Sequence, residues 1–188
     1  MKTISMLFLL VLFWAVSAHA DDMGGSFLRL KSGSNHPQEN GDVTHFTPIA
    51  IDGIYRLSNS FGLGLHFMYA TGNHAVYAVQ GPNLAGFNLS KTMVLPMASG
   101  DYFFDFGSTR IGLGVKAGAL FYSDLTTLSS GTYVPDTTNS NTLFTAGPTV
   151  DIDLPLKGTW FVNVGGDYMI SQNHYHFGSL YVGLGVSL

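Results

Sequence analysis

The chain has 188 residues, 23 of them glycine and none cysteine, and it is 46% hydrophobic but only 11% charged. An ordinary soluble domain is about 25% charged, so eight Lys and Arg with twelve Asp and Glu are too few to coat a soluble protein of this size. The length fits one domain rather than two, and with no basic patch or charge run the electrostatic footprint of nucleic-acid binding is missing.

Residues 1–20 read as a cleaved secretory signal peptide. Lys2 supplies the positive start, residues 6–16 the apolar stretch, and Ala18-His19-Ala20 the small-x-small cleavage site. The apolar run is short of the roughly 20 residues that a membrane-spanning helix needs. Residues 21–188 then form a single mature domain, with Lys2 gone and the acidic excess slightly larger. An exported chain without cysteine must be held by packing and backbone hydrogen bonds.

The mature chain is dominated by a period of two. A first strand-like segment, 26–32, is less regular. In the second, Ile49, Ile51, Tyr55 and Leu57 oppose Ala50, Asp52 and Arg56; in the third, Phe61, Leu63, Leu65, Phe67 and Tyr69 oppose Gly62, Gly64, His66 and Met68. The fourth, 89–104, is strand-like but of uncertain register, and Pro96 inside it predicts a bulge because proline cannot donate to a ladder. In the fifth, Ile111 to Phe121 alternate with Arg110, Gly112, Gly114, Lys116 and Gly118. The sixth sets Phe144, Ala146, Val150, Ile152 and Leu154 against Thr145, Thr149, Asp151 and Asp153. The seventh sets Trp160, Val162, Val164, Tyr168 and Ile170 against Asn163, Gly165 and Asp167, and the eighth sets Leu180 to Leu188 against Ser179, Tyr181, Gly183 and Ser187.

Side chains alternate across a strand, so each segment has one greasy face and one small or charged face. Short links at 58–60, 105–108 and 155–159 alternate with longer polar links at 33–43, 72–88, 123–141 and 171–174, the asymmetry of outer-membrane barrels. A soluble sandwich or lipocalin-like barrel needs a polar exterior, and the glycine-rich faces here would make a poor one. The pattern predicts an all-β, eight-stranded antiparallel up-and-down transmembrane barrel, the one way strands can cross lipid without leaving backbone groups unsatisfied. Outer-membrane lipid and lipopolysaccharide are then its surroundings, as a monomer in a Gram-negative outer membrane.

Two kinds of site residue follow. Phe61 and Tyr69, and likewise Trp160 and Tyr168, lie eight residues apart on one face. At about 3.3 Å per residue and a tilt near 40°, that separation climbs roughly 20 Å, close to the spacing of two aromatic girdles. Facing inward by alternation are Asp52, Arg56, His66, Arg110, Lys116, Asp151, Asp153 and Asp167. Near-balanced charges in one lumen predict an ion-pair network, since an unpaired buried charge costs several kcal/mol. Such a network would fill an eight-stranded interior, which is just wide enough for side chains; the functional alternative is a gated polar pore or proton relay.

Other chemistry is thin. His174 and His176 share a strand face, and His36, His45 and His74 fall toward the same end, but two ligands fall short of the three or four that zinc wants. No metal or cofactor is expected. Ser171, His174, His176 and Ser179 supply residue types that a lipid-modifying enzyme would use, yet no Gly-x-Ser-x-Gly elbow accompanies them, and the chain reads as a non-enzyme. Gly112-Leu113-Gly114-Val115-Lys116-Ala117 fits a dinucleotide fingerprint, but the glycines lie within a strand rather than before a helix.

Three stretches resemble the OmpW family of small eight-stranded outer-membrane proteins. Gly25, Phe27, Arg29 and Gly33 with Pro37 resemble its opening strand. Leu95-Pro96-Met97 leading to Asp101-Tyr102-Phe103 is similar to its fourth strand. Ala146-Gly147, Val150-Asp151, Trp160 to Val164 and Asp167-Tyr168-Met169 resemble its sixth and seventh. About half the mature chain is covered, and the final Leu188 departs from the usual terminal aromatic. The resemblance implies a conduit for small hydrophobic molecules through a narrow, largely apolar channel. The inward charges fit that picture poorly and favour the alternative, a closed structural or surface-interaction barrel.

Overall fold

A computed structural model describes residues 25–39, 42–43, 46–80, 83–130, 137–172 and 175–188. The signal peptide, His45 and His174 lie outside these residues. The strands are β1 (Phe27–Glu39), β2 (Asp42–Val43), β3 (Thr47–Arg56), β4 (Phe61–Gln80), β5 (Asn83–Phe106), β6 (Thr109–Ser130), β7 (Thr137–Pro155), β8 (Trp160–Ser171) and β9 (His176–Ser187). Every pairing is antiparallel, and β1 pairs with β9 from Phe27↔Ser187 to Gln38↔His176, closing the sheet into a barrel. Eight strands form the wall; β2 is a two-residue return folded onto the far end of β1.

The alternation works as the residues dictate. Along β3, and along β4 as far as Ala70, every second residue is buried, and the intervening Ile49, Ile51, Leu63, Leu65 and Phe67 are 41–54% exposed on the outside. A protein that buried its apolar residues against water would show the opposite. Phe61, Tyr69, Trp160 and Tyr168 also stand outward, 39–53% exposed.

Three tight turns close one end. Gly107 and Gly158 take positive φ angles of 64° and 71°, a conformation that side chains with a Cβ resist. At the third, the Ser58 hydroxyl accepts the backbone N–H of Ser60 and Phe61 at 3.3 and 3.1 Å. The start of β1 and the end of β9 meet at this same end, where Leu188 N–H donates to Ser26 O at 2.8 Å.

At the other end the polar links are not the loops expected from 72–88 and 123–141. β4 runs to Gln80 and β5 starts at Asn83, while β6 runs to Ser130 and β7 starts at Thr137. The β3–β4 ladder ends at Thr47↔Thr71 and the β7–β8 ladder at Thr145↔Ser171, yet β4 to β7 continue as a four-stranded sheet. Its reach beyond Thr71 is roughly 20 Å at ordinary rise and tilt. Polarity marked these stretches as connections, but Thr, Val and Tyr are strand formers and pair readily once a hairpin carries them out of the wall.

β5 holds a second departure. Its register with β6 is the same on both sides of Pro96, Val94↔Phe121 and Met97↔Gly118. Pro96 therefore sits in the strand without a bulge, and the one register shift in this pair lies at Gly86/Phe87.

Candidate functional site: a filled, ion-paired lumen

Every wall strand sends a polar group to the same level of the lumen. β1 contributes Arg29 and Lys31, β3 Asp52, β4 His66, β5 Ser99 and Asp101, β6 Lys116, β7 Asp151 and Asp153, β8 Asn163 and Asp167, and β9 Tyr181, all at most 9% exposed. The Lys31 ammonium bridges the lumen, 2.6 Å from Asp52 Oδ2 and 2.6 Å from Asp151 Oδ1. Arg29 Nη2 donates to Asp153 Oδ2 at 2.7 Å, and its Nη1 lies 3.4 Å from Asp151 Oδ2. Asn163 Nδ2 donates to the other Asp153 oxygen at 2.7 Å. Lys116 Nζ donates to Asp167 Oδ2 at 3.2 Å, His66 Nδ1 pairs with Asp52 Oδ1, and Ser99 Oγ donates to Asp101 Oδ2 at 2.6 Å. The Tyr181 ring lies near two ammonium groups, 5.7 Å from Lys31 Nζ and 5.9 Å from Lys116 Nζ, a geometry in which the ring face attracts cations.

Inward glycines make the room. A Cβ on Gly114 would collide with the Asp101 carboxylate, and one on Gly165 with that of Asp151. The small faces of β6 and β8 are thus occupied by carboxylates reaching over from their neighbours.

Apolar layers cover the network on both sides. Toward the turns, Phe27, Ile54, Phe103 and Phe161 form a buried cluster, with Phe27 edge-on to Phe103 at 5.5 Å and to Phe161 at 6.2 Å. Toward the long strands lie Phe46, Met68, Met93, Leu95, Met97, Leu120, Leu143, Met169, Tyr175 and Phe177.

Of the eight residues expected in the network, Asp52, His66, Lys116, Asp151, Asp153 and Asp167 meet there. Arg56 and Arg110 do not. They sit beyond the phenylalanine cluster at the turn-side mouth, with Arg110 Nε donating to Asp105 Oδ1 at 3.1 Å and Arg56 Nη2 3.8 Å from Asp105 Oδ2. Arg110 also stacks over Phe27 at 4.8 Å and Arg56 over Phe103 at 5.6 Å. The physical reason is height: on β3 and β6 these two positions lie at the strand ends, one layer below the charges.

Arg29, Lys31, Ser99 and Asp101 were not expected in the site. For β1 the signal existed, because Leu28 and Leu30 alternate with Arg29 and Lys31. For β5 it did not, because both faces are apolar through residues 93–98.

Of the serines and histidines that the sequence offered to an enzyme, the described ones fall on two sides of the wall. Ser171 and Ser179 are buried in the lumen, whereas His176 stacks on the outward Tyr168 ring at 6.2 Å. Among the described residues no group of three or more His, Cys, Asp or Glu is arranged to hold a metal ion.

No protein-family model matches the chain, and no curated protein matches it. Solved structures do. Ail, the attachment invasion locus protein of Yersinia pestis, in complex with the heparin analogue sucrose octasulfate, is similar with a TM-score of 0.64 at 14% identity, over 88% of this chain and 99% of that one. Neisserial surface protein A follows with 0.61 at 16% identity, over 87% and 97%. A major outer membrane protein from Thermus thermophilus gives 0.59 at 11% identity, over 87% and 99%. At such identities the likeness carries the fold, that of small outer-membrane β-barrels.

Proposed function

We propose that the protein is an OmpW-like barrel of the bacterial outer membrane, exported by residues 1–20, with a closed lumen and its activity on the surface that β4 to β7 present beyond the rim. The observation that supports this best is Lys31, whose ammonium spans the lumen between Asp52 and Asp151 at 2.6 Å each. A bridge from wall to wall, with a phenylalanine layer on one side and a methionine-rich layer on the other, leaves an eight-stranded interior little section through which to pass a solute. The outward apolar band, from Leu30 at 56% to Leu180 at 69% exposed, supports lipid and lipopolysaccharide as its surroundings and a monomer as its state.

The projecting sheet supports the surface role. Among the described pairings, β4 above Thr71 and β7 above Thr145 each bond on one side only. Free strand edges are templates for adding a partner's strand. Thr138, Asn139, Ser140, Asn141 and Thr142 are exposed along one of them, and an uncharged polar edge of this kind lacks the charges that usually deter pairing.

A second reading, the conduit for small apolar solutes implied by the OmpW resemblance, draws on a cavity of about 610 Å³ beside β3 to β5, lined by lumen-facing Ile54 and Met97 as well as outward Leu63 and Leu65. Against it, the β4–β5 ladder is continuous from Phe61↔Tyr102 to Gln80↔Asn83. Planar-bilayer conductance and liposome uptake of a small apolar solute separate the two. The closed barrel is expected to be silent in both assays; uptake by folded, heat-modifiable protein would establish the conduit instead.

A further inference from the structure

The methionines of the described residues are all in one place. Met68, Met93, Met97 and Met169 are 0–4% exposed and belong to one lumen cluster. Methionine fills irregular cores well, so clustering alone would mean only packing. His66 adds a second observation, as one of several buried lumen residues, Arg29 and Asn163 among them, with an unpartnered polar atom. Its Nδ1 is held by the Asp52 carboxylate, while Nε2, on a residue 3% exposed, has no hydrogen-bond partner among the described residues. Buried polar atoms nearly always find one.

The surroundings of that nitrogen are soft. His66 faces Met97 directly across the β4–β5 pair, at the separation where opposed side chains touch, and Met68 is the next inward residue on its own strand. Tyr181 ties the group together, with its ring 6.3 Å from the imidazole and its hydroxyl 3.1 Å from Met68 Sδ. The cavity beside β3 to β5 reaches both His66 and Met97. Charge points the same way: around this level the buried cations Arg29, Lys31 and Lys116 face five buried carboxylates, Asp52, Asp101, Asp151, Asp153 and Asp167. A further positive charge, on His66 or on an ion bound to it, would reduce this acidic excess.

We propose that His66 Nε2 and the thioethers of Met97 and Met68 form a binding site for a soft monovalent cation, copper(I) or its analogue silver(I). Thioether sulfur selects such ions over hard ones, and imidazole is an acceptable companion ligand. A carboxylate on the far ring nitrogen is the usual support of a metal-bound histidine, fixing the tautomer that leaves Nε2 free to coordinate. Zinc would want three or four Cys, His or carboxylate ligands, and the described residues offer no such group. The inference is independent of the closed-barrel reading, because it concerns a site in the wall of the lumen and not passage along it.

The test uses the barrel from Asp21 to Leu188 folded in detergent micelles. Silver nitrate in chloride-free buffer is titrated calorimetrically, copper(I) is titrated anaerobically against a chromogenic chelator, and X-ray absorption is recorded on the loaded protein. Expected are about one equivalent per barrel, sulfur and nitrogen neighbours at the metal, and no uptake of zinc by the same residues. The double variant M68L/M97L keeps core volume nearly constant, a class of change that cores tolerate. It should weaken silver binding roughly tenfold or more, the scale on which metal affinity responds even to outer-shell changes, with heat-modifiable migration retained. H66Q should weaken it likewise and remove the nitrogen neighbour. Absence of stoichiometric silver uptake by the folded wild type, or uptake unchanged in a folded M68L/M97L barrel, would overturn the site.

Discussion

Replacing Lys31 by methionine tests the dryness of the lumen. The ammonium is fully buried and makes two contacts of 2.6 Å, to Asp52 and Asp151. Methionine keeps the length of the stem but removes the charge, leaving two carboxylates on opposite sides of the lumen with their bridge gone. Removing one partner from a buried pair costs about 3–5 kcal/mol. Here each carboxylate keeps a second neighbour, His66 for Asp52 and Arg29 for Asp151, so the lower end, about 3 kcal/mol, is expected. With a urea slope of about 2 kcal/mol per molar, the unfolding midpoint in lipid vesicles, followed by Trp160 fluorescence, should fall by roughly 1.5 M. Adding Asp52→Asn should recover part of that loss, because neighbours in one network couple by about 0.5–3 kcal/mol. A midpoint within about 0.3 M of wild type, a loss near 0.5 kcal/mol on the same slope, would mean that water solvates the site. The closed-lumen reading would fall with it.

Three further outcomes are expected. Val115, 65% exposed in the middle of the outward band, should cost about 2–4 kcal/mol when changed to arginine in a lipid-embedded barrel, measured by the same urea titration; a soluble protein would tolerate it within about 0.5 kcal/mol. Gly114→Leu should lower the midpoint by an amount corresponding to about 1–3 kcal/mol or more, since its side chain would enter the space held by the Asp101 carboxylate, and a neutral result would show that this carboxylate can leave the lumen freely. Trp160 is the one tryptophan of a chain begun at Asp21 and stands 53% exposed at the turn-side rim. Lipids brominated near the headgroup should quench it more than lipids brominated at the chain ends, and lack of quenching by either would put it out of contact with lipid.

The wall was legible because alternation is enforced residue by residue. A face opposed to lipid must be apolar at every second position, so β3, β4 and β6 to β9 declare their inward sets from sequence alone. Which inward charges meet was not legible: Arg29 and Asp153 are 124 positions apart, Lys31 and Asp151 are 120 apart, and only closure of β1 on β9 brings them together. Height along the strand decided the rest, sending Arg56 and Arg110 to the mouth although they share a face with the network. The rule failed most completely on β5, where Leu95 and Met97 point inward between Val94, Pro96 and Ala98, so that neither face is polar and no register can be read. That failure has a physical source. A lumen filled only with ions would have preserved the alternation, whereas here two layers of it are apolar and one of these gathers the four described methionines, with Met97 across the β4–β5 pair from His66. Natural sequences tend to break local rules where a site demands it. The stretch that defeats period-two reading supplies Met97 to the proposed soft-cation site, so the loss of a legible pattern and the presence of thioether donors are one fact seen from the sequence and from the lumen.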